Sequence, residues 1–546
     1  MIRLDLSVAK NSIDDPVIAV SSMPLACRVM LAALSGALMC IPWLIPHLYW
    51  TSWLGCVPLL FALDSTRLPT ATMLGWVAGA VCFAGASNWM VEFAINLKAL
   101  SFPLSLGLAA VFWLYAGLSV GLACLVYRWL ARSLQGFDVL TFPVSVLAVM
   151  ALYPLLFEAR FAEAQIQFLP ALQGTDLVGA QGLDAVMLVV SVLAFRVLRR
   201  RPVWTQANRI VNVGAALMVV AWFVYGFVSL HLWDARIAEW ETRRIGLVQP
   251  NDAVTLDLPK LAPGFTLESP EEMLATERLI KGGATWVAWP EARYKGYFEK
   301  YSVRYSYAQR LGDLGVPLIF HDVENKWVEG EHHSFNSVAF LGKDGELADT
   351  YRKVQRMPFG EYLPAFFSLP GIKTLSNMFL GEFLSELSAG DGHAYFNING
   401  MQVVPKVCSE TAFPAFVADS IGAEGDGKVL LFLSQDNWFG ESTQPFQHRA
   451  MSIVRGIENR VPVVHLINNG PSVVASPSGR VVGGTPAFSR AELLVDMPYS
   501  TEAGGSFFSR YPNIFGNVLF TALGLLVVWV LFLRSRGRRY TINPAL

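Results

Sequence analysis

Cys408 is the only cysteine in the polar part of the chain, between residues 233 and 513. It directly follows a strand-like run, residues 401–407, and a thiol at a strand end is a candidate nucleophile. Upstream, Glu291 ends the tripeptide Trp-Pro-Glu and Lys353 ends Tyr-Arg-Lys. A carboxylate, an ammonium and a thiol at strand ends can together carry acyl transfer through a thioester. The alternative is that Cys408 is a small buried hydrophobic residue.

Each of these residue types has a defined part in such chemistry. The thiol must lose its proton to a nearby base before it can attack. Glu291 can be that base if burial beside Trp286 and Trp289 raises its pKa. The tetrahedral intermediate needs positive charge and hydrogen-bond donors, for which Lys353 and the backbone N–H of Ser409 are the candidates.

The composition points to a membrane protein that also carries a full-sized polar domain. Of 546 residues, 53% are hydrophobic and 16% charged, whereas soluble proteins have about 25% charged residues. The mean hydropathy is +0.41. A net charge of −1 argues against a nucleic-acid partner. We also expect no cofactor and no metal, because the His332–His333 pair lacks the partner spacing of a metal site.

Apolar runs long enough to cross a bilayer predict about eight transmembrane helices. Pro42 and Pro46 crowd the junction of the first two. Asp184, in the sixth, should face protein or a polar cavity rather than lipid. The predicted spans are 24–43, 46–63, 70–93, 101–127, 139–157, 176–195, 210–232 and 514–533.

Arginines in the short loops predict the orientation of these spans. Arg67, Arg128, Arg196–Arg201 and Arg534–Arg539 all fall on one side if eight spans alternate, and that side should be cytoplasmic. The predicted organisation is then a cytoplasmic segment 1–23, a membrane domain 24–232 with about seven helices, a periplasmic domain 233–513, a last span 514–533 and a cytoplasmic tail 534–546.

The segment 243–500 alternates short apolar runs with stretches of helical spacing, which favours layered α/β structure. The helical stretches are residues 267–281, 299–313 and 445–460. The predicted buried strands are residues 245–249, 285–289, 316–320, 429–433 and 463–467.

The order and form of the chemical motifs resemble the nitrilase, or carbon-nitrogen hydrolase, superfamily and, within it, the bacterial apolipoprotein N-acyltransferases. The resemblance covers about residues 245–482. Two positions depart from the family pattern: Ser409 stands where an aromatic residue usually follows the cysteine, and Gln435 precedes Asp436 in place of asparagine. The motifs that carry the resemblance are Trp289-Pro290-Glu291, Tyr351-Arg352-Lys353, Pro358 to Pro364, Cys408 to Glu410, Asp436 to Gly440, Gln447-His448 and Arg455 to Glu458.

The resemblance implies a nitrilase-like α-β-β-α sandwich standing on the periplasmic face of an eight-helix bundle in the bacterial inner membrane. It implies that Glu291 is the general base, Lys353 the oxyanion stabiliser and Cys408 the nucleophile. Glu361 would orient Lys353 and the incoming amine. Ser409 and Glu410 would support the site, although Glu410 is equally compatible with a strand-end cap.

The activity implied by the resemblance is transfer of an acyl chain from a phospholipid, through a cysteine thioester, to the N-terminal amine of diacylglyceryl-cysteine of a lipoprotein. Phospholipid donor, lipoprotein acceptor and membrane lipids would be the partners. Apolar loops at 365–369 and 378–380 are candidates to dip toward the bilayer.

Two alternative functions stay open at this point. A membrane-anchored amidase would use the same three residues to hydrolyse a small amide. A non-catalytic membrane scaffold would keep the fold without bringing the three residues together. His448 is interpreted as a residue that orients the predicted helix 445–460 rather than as a catalytic base.

Overall fold

The computed structural model describes residues 23–157, 160–199, 206–253, 261–291, 294–328, 330–358, 360–362, 371, 374 and 387–540, without the side chains at 98, 328 and 537–540. The predicted loops at 365–369 and 378–380 lie outside these residues. So do all but one residue of the predicted segment 1–23 and the end of the predicted tail 534–546.

The first half of the chain is helical. Within the described residues, six helices are long and apolar enough to cross a membrane: Leu25–Leu44, Leu68–Ala86, Phe102–Ala131, Thr175–Arg199, Gln206–Ile237 and Ile514–Arg536. The helices of this half are α1 (Leu25–Leu44), α2 (Thr51–Leu54), α3 (Val57–Leu63), α4 (Leu68–Ala86), α5 (Met90–Lys98), α6 (Phe102–Ala131), α7 (Asp138–Leu152), α8 (Leu169–Leu172), α9 (Thr175–Arg199) and α10 (Gln206–Ile237).

Three of the predicted spans differ from single long helices. The run 70–93 is covered by α4 and the start of α5, which a turn at residues 87–89 separates. The run 46–63 is broken into a 3₁₀ turn and the short helices α2 and α3, because Pro46 and Pro58 each start a new helical segment. The run 139–157 ends early, since α7 has 15 residues and stops at Leu152, two residues before Pro154. Asp184 is buried as predicted, and its carboxylate accepts a hydrogen bond from the Ala162 N–H.

Small residues let α4 and α6 approach closely. A Cβ added at Gly79 would lie 2.5 Å from the carbonyl oxygen of Gly117, so neither helix has room for a side chain at this crossing. Such backbone proximity supports packing between apolar helices, where the hydrophobic effect between them is weak.

The second half contains two six-stranded sheets. Their strand orders are β12-β1-β2-β3-β4-β5 and β11-β10-β9-β8-β7-β6. The central strands β1, β2 and β3 are parallel in the first sheet, and β7, β8 and β9 are parallel in the second. The elements are β1 (Glu241–Gln249), α11 (Glu271–Lys281), β2 (Val287–Ala288), α12 (Tyr301–Leu314), β3 (Leu318–Val328), β4 (Glu331–Leu341), β5 (Leu347–Arg352), β6 (Phe396–Ile398), β7 (Met401–Val407), α13 (Pro414–Ile421), β8 (Lys428–Ser434), α14 (Gln444–Asn459), β9 (Val463–Ile467), β10 (Val473–Ala475), β11 (Val481–Gly484), β12 (Ala491–Tyr499), α15 (Phe507–Arg510) and α16 (Ile514–Tyr540).

The two sheets face each other across one apolar core, to which Ile245 and Trp286 contribute from the first sheet and Val403 and Leu431 from the second. Helices α11 and α12 cover the outer face of the first sheet. Helix α14 covers the outer face of the second and packs there together with residues of the membrane helices. The predicted helical bundle with an α-β-β-α sandwich is therefore confirmed.

Buried ion pairs join the sandwich to the bundle. Arg455 on α14 lies 2.9 Å from Glu163, which belongs to the bundle, and 3.1 Å from Glu458, one turn away on its own helix. The Glu458 carboxylate also accepts a hydrogen bond from the Ala180 N–H in α9. Arg460 lies 2.7 Å from Asp176, again across the boundary. Charges removed from water are tolerated only when paired, so these contacts define how the two parts fit together.

Candidate active site

Cys408 occupies a strained turn at the carboxyl end of β7. Its backbone φ is +47°, a left-handed conformation that non-glycine residues rarely adopt. A 3₁₀ helix, Cys408–Ala412, starts at this residue. Its carbonyl oxygen accepts a hydrogen bond from Thr411 Oγ1 at 3.0 Å and lies 3.1 Å from His448 Nε2. Strain of this kind persists only where the surroundings enforce it, and it occurs often at active sites.

Glu291 lies beyond the carboxyl end of β2 and lines the same cavity as Cys408. Its carboxylate accepts hydrogen bonds from the side-chain amide of Asn336 at 2.9 Å and from the Gln435 N–H at 3.1 Å. Burial raises the pKa of this carboxyl, and the Glu361 carboxylate raises it further, although Lys353 opposes both. Trp286 and Trp289 are fully buried core residues: Trp286 packs in the core between the two sheets and Trp289 in the cluster beneath α11 and α12. Such a carboxylate is suited to take a proton from a thiol.

Lys353 follows β5 and is buried against Glu361, with 3.0 Å between its Nζ and the carboxylate. Burial alone would lower the pKa of Lys353, but the negative charges of Glu361 and, less strongly, Glu291 oppose it, and the pKa is raised. The ammonium is therefore charged at neutral pH. A fixed positive charge beside the nucleophile can stabilise an oxyanion.

Asn336, in the middle of β4, connects the two carboxylates of the site. Its Nδ2 donates to Glu291 at 2.9 Å and to Glu361 at 2.8 Å, and its backbone oxygen accepts from the Lys353 N–H. Glu361 is further held by the Met357 N–H at 2.7 Å. Sequence reasoning missed Asn336, because an asparagine inside a strand carries no motif and its place depends on how β4 pairs with β5.

Ser409 and Glu410 have different positions. Ser409 lines the same cavity as Cys408, and its buried hydroxyl has no hydrogen-bond partner among the described residues. Glu410 is buried below the site, where it accepts hydrogen bonds from the Tyr351 hydroxyl and from the N–H groups of Val354 and Val407. These hydrogen bonds connect the loop after Lys353 to the turn at Cys408. They fit the alternative in which Glu410 caps the end of a strand and has a structural role.

At rest, the side chain of Cys408 is a thiol rather than a thiolate. Burial raises the pKa of Cys408 well above its ordinary value, and the Glu291 carboxylate raises it further, while Lys353 lowers it. The thiolate needed for attack therefore forms only when a base accepts the proton during the reaction. Glu291 lines the same cavity and is the candidate for that base.

The site opens into a cavity of about 520 Å³ with walls from both parts of the molecule. Trp89 is fixed at this boundary by a hydrogen bond to Gln447 and by edge-on contact with Phe439. On the domain side the cavity is lined by Glu291, Asn336, Lys353, Glu361, Cys408 and Ser409. On the bundle side it is lined by Trp43, Phe83, Trp89, Phe93, Leu97, Phe112 and Phe157. Within the part of the chain that the structure describes, no group of three His, Cys, Asp or Glu side chains could hold a metal ion.

Comparison with known families accounts for both halves of the chain. A family model described as carbon-nitrogen hydrolase matches residues 245–503, and the model of the apolipoprotein N-acyltransferase N-terminal domain matches residues 35–193. The chain is thus similar to apolipoprotein N-acyltransferases in both halves. Members that resemble it include the apolipoprotein N-acyltransferases of Geobacter metallireducens, 27% identical over 89% of this chain and 92% of the relative, and of Azotobacter vinelandii, 28% identical over 85% and 88%.

Solved structures of the wider superfamily cover about half of this chain. A mutant of the Nesterenkonia AN1 amidase from the nitrilase superfamily is 19% identical and covers 48% of this chain and 92% of its own, with a TM-score of 0.35. The helical half, which the apolipoprotein N-acyltransferase model matches in this chain, lies outside the carbon-nitrogen hydrolase match.

Proposed function

We propose that this protein is an apolipoprotein N-acyltransferase that moves an acyl chain from a phospholipid to the N-terminal amine of diacylglyceryl-cysteine of a lipoprotein. The observation that carries the proposal is the shared cavity. Cys408 and Lys353 line one side of it, and aromatic residues of α1, α4, α5 and α6 line the other. Such a site can receive a reacting ester at its polar end and an acyl chain at its apolar end.

In the first half-reaction, Glu291 accepts the thiol proton and the Cys408 sulfur attacks the ester carbonyl of the phospholipid. The carbonyl oxygen becomes an oxyanion, which Lys353 and the Ser409 N–H stabilise. When the carbon–oxygen bond breaks, the leaving alkoxide takes the proton from Glu291. The products are lyso-phospholipid and an acyl thioester on Cys408.

In the second half-reaction, the lipoprotein amine attacks the thioester carbonyl. Glu291 accepts the proton that the nitrogen loses, and the carbon–sulfur bond breaks to release the amide. The Cys408 thiolate then takes the proton back from Glu291. Glu361 holds Lys353 in place throughout and orients the amine; its 3.0 Å contact with Lys353 and its place in the cavity support this role.

Mass measurement of the intact protein tests the reaction class. After incubation with phospholipid alone, the wild-type protein should gain the mass of one acyl group, while Cys408→Ala should gain none. Cys408→Ser should react poorly, because a hydroxyl ionises far less readily than a thiol. An unmodified wild-type protein that instead hydrolyses small amides would favour the amidase alternative.

We also propose the location as the bacterial inner membrane, with residues 233–513 in the periplasm. The support is the placement of Arg67, Arg128 and the arginine runs at 196–201 and 534–539 on one side of the predicted spans. Reporter fusions after Arg201 and within 251–265 should give opposite locations, and equal signals from both would contradict this orientation.

A further inference from the structure

The carbonyl group of Cys408 is held by side chains that the proposed reaction does not use. Thr411 Oγ1 donates to it at 3.0 Å, and His448 Nε2 lies 3.1 Å from it. The other ring nitrogen of His448, Nδ1, lies 3.0 and 2.9 Å from the two carboxylate oxygens of Asp436. His448 and Asp436 are both buried, so water does not compete for these contacts.

Counting protons in this cluster favours a charged ring. Nδ1 faces a carboxylate, which can only accept a hydrogen bond, and Nε2 faces the Cys408 carbonyl, which can also only accept. A neutral histidine has a single N–H and can donate to only one of these two acceptors. The neutral ring would have to accept the Thr411 hydroxyl, 2.6 Å from Nε2, and would leave its lone pair against the Cys408 oxygen. An imidazolium satisfies every contact, with Thr411 donating to the carbonyl.

We infer that His448 is a positioning residue: an imidazolium, paired with Asp436, that fixes the peptide plane between Cys408 and Ser409. This inference rests on the proposed function. The carbonyl and N–H of a trans peptide point in opposite directions. Anchoring the Cys408 carbonyl at His448 therefore sets the direction of the Ser409 N–H, the proposed oxyanion donor. A cationic donor on the carbonyl also polarises the peptide and strengthens its N–H as a donor.

The titratable groups around His448 support a charged ring. Burial lowers the pKa of His448, but Asp436 and Glu291 and the hydrogen bond to the Cys408 carbonyl outweigh it, and the pKa is raised. His465 on β9 faces the ring at 4.6 Å, and its own pKa is lowered by burial, so it stays neutral. The Cys408 thiol is also uncharged at rest. Because the working form is protonated, activity should fall as the pH rises through the pKa of His448.

Nitrogen NMR of the full-length protein, labelled with ¹⁵N-histidine and held in detergent, tests the protonation state directly. His448→Gln identifies the His448 signals by their loss. Two protonated ring nitrogens at pH 7 are expected. One unprotonated nitrogen at that pH would overturn the inference, because it would show the neutral ring accepting the Thr411 hydroxyl. The measurement does not depend on whether the protein acylates lipoproteins.

Kinetics test the positioning role. His448→Gln should lower kcat for thioester formation about 100-fold, the cost of misdirecting one oxyanion donor, with little change in KM for phospholipid. Asp436→Asn keeps the shape but removes the charge that stabilises the imidazolium, so the alkaline limb of its rate profile should move to lower pH. The control His332→Gln changes an exposed histidine and should leave both kcat and the alkaline limb of the rate profile unchanged.

The outcomes separate the inference from the proposed function. If the wild-type protein N-acylates a lipoprotein while His448→Gln keeps its kcat and Asp436→Asn keeps its pH profile, the inference is wrong and the function stands. If the wild-type protein forms no acyl-enzyme, the function fails, and the NMR result still decides the charge of His448. Should His448→Gln fail to fold, Asp436→Asn takes its place: its rate profile tests the positioning role, and the ring signals that move in this variant identify His448 in the NMR of the wild-type protein.

Discussion

At the scale of single residues, the neighbours of the proposed base Glu291 act on its pKa in opposite directions. Glu291 is buried and close to a second carboxylate, which favours its neutral form, yet it faces Lys353, which favours the charged form. The balance leaves its pKa above that of an ordinary glutamate, so Glu291 keeps enough basicity to deprotonate a thiol whose own pKa is raised.

The raised pKa of Glu291 predicts the acid limb of the rate profile. The carboxylate is the working form, so kcat/KM should fall as the pH drops through the pKa of Glu291, at a pH above the ordinary value of about 4.3 for glutamate. Thioester formation measured as lyso-phospholipid release between pH 4 and 8 checks this. Glu291→Gln should show almost no release at any pH, and a wild-type limb at or below the ordinary value would contradict a raised pKa.

Asn336 gives a second residue-scale prediction. Its amide bridges two carboxylates, and hydrogen bonds to charged groups contribute roughly 1.5–3 kcal/mol each. Asn336→Ala should therefore lower kcat/KM at least tenfold by releasing Glu291 and Glu361 from their positions. The matched control is Asn325→Ala on the neighbouring strand β3, an exposed residue that should have no such effect. Equal rates for the two variants would show that Asn336 is not needed to hold the carboxylates.

Glu361 separates the two half-reactions. Because it contacts Lys353 and lines the cavity, Glu361→Gln should slow transfer to the amine more than formation of the acyl-enzyme. Following lyso-phospholipid release and N-acylation separately checks this. Wild-type rates for both steps would leave Glu361 with a structural role in its turn.

At the scale of elements, Glu410 links two loops that come from different sheets. It accepts from Val354 and Gln355 after β5, from Val407 at the end of β7, and from Tyr351. Glu410→Gln replaces one acceptor oxygen with an amide that meets these donors, so it should destabilise the fold by about 1–3 kcal/mol and lower kcat. Thermal unfolding measures this effect, with Glu346→Gln at an exposed glutamate as the control. Equal melting temperatures for the two variants would show that Glu410 does not stabilise the contact between the two loops.

The elements also show what a sequence can reveal of such a site. Glu291 and Cys408 each follow a short apolar run that forms a parallel strand, whereas Lys353 follows the polar edge strand β5 and was singled out by its motif. Asn336 could not be predicted, since it is a polar residue inside a long strand and its partners Glu291 and Glu361 come from other parts of the chain. Helix α14 was predicted within one residue at each end, because its apolar face repeats with helical spacing.

The number of membrane spans was harder to predict than their existence. Hydropathy marks an apolar run but does not show whether a proline divides it. Pro46 and Pro58 therefore turned one predicted span into short helices. The burial of Asp184 follows from its cost in lipid, which a sequence does reveal.

At the scale of the whole molecule, stability depends on the buried charges that join bundle and sandwich. Arg455→Met removes a cation and leaves Glu163 and Glu458 without it, so it should destabilise the protein by about 3–5 kcal/mol. The control Arg244→Met breaks an exposed pair with Asp496 and should change the melting temperature far less. Unfolding in detergent followed by calorimetry checks both, and equal shifts would show that the junction has no special role.

The cavity between the helical bundle and the sandwich also has a consequence for how the reaction rate depends on the amount of phospholipid donor. Its apolar wall includes residues of helices long enough to cross a membrane, so we expect the proposed phospholipid donor to enter from the lipid phase, where the concentration per volume of water does not apply. The rate should then follow the mole fraction of phospholipid in the surrounding micelle or bilayer. Diluting the donor with inert detergent at constant total donor should slow acyl-enzyme formation, as expected of an enzyme that samples its substrate in two dimensions.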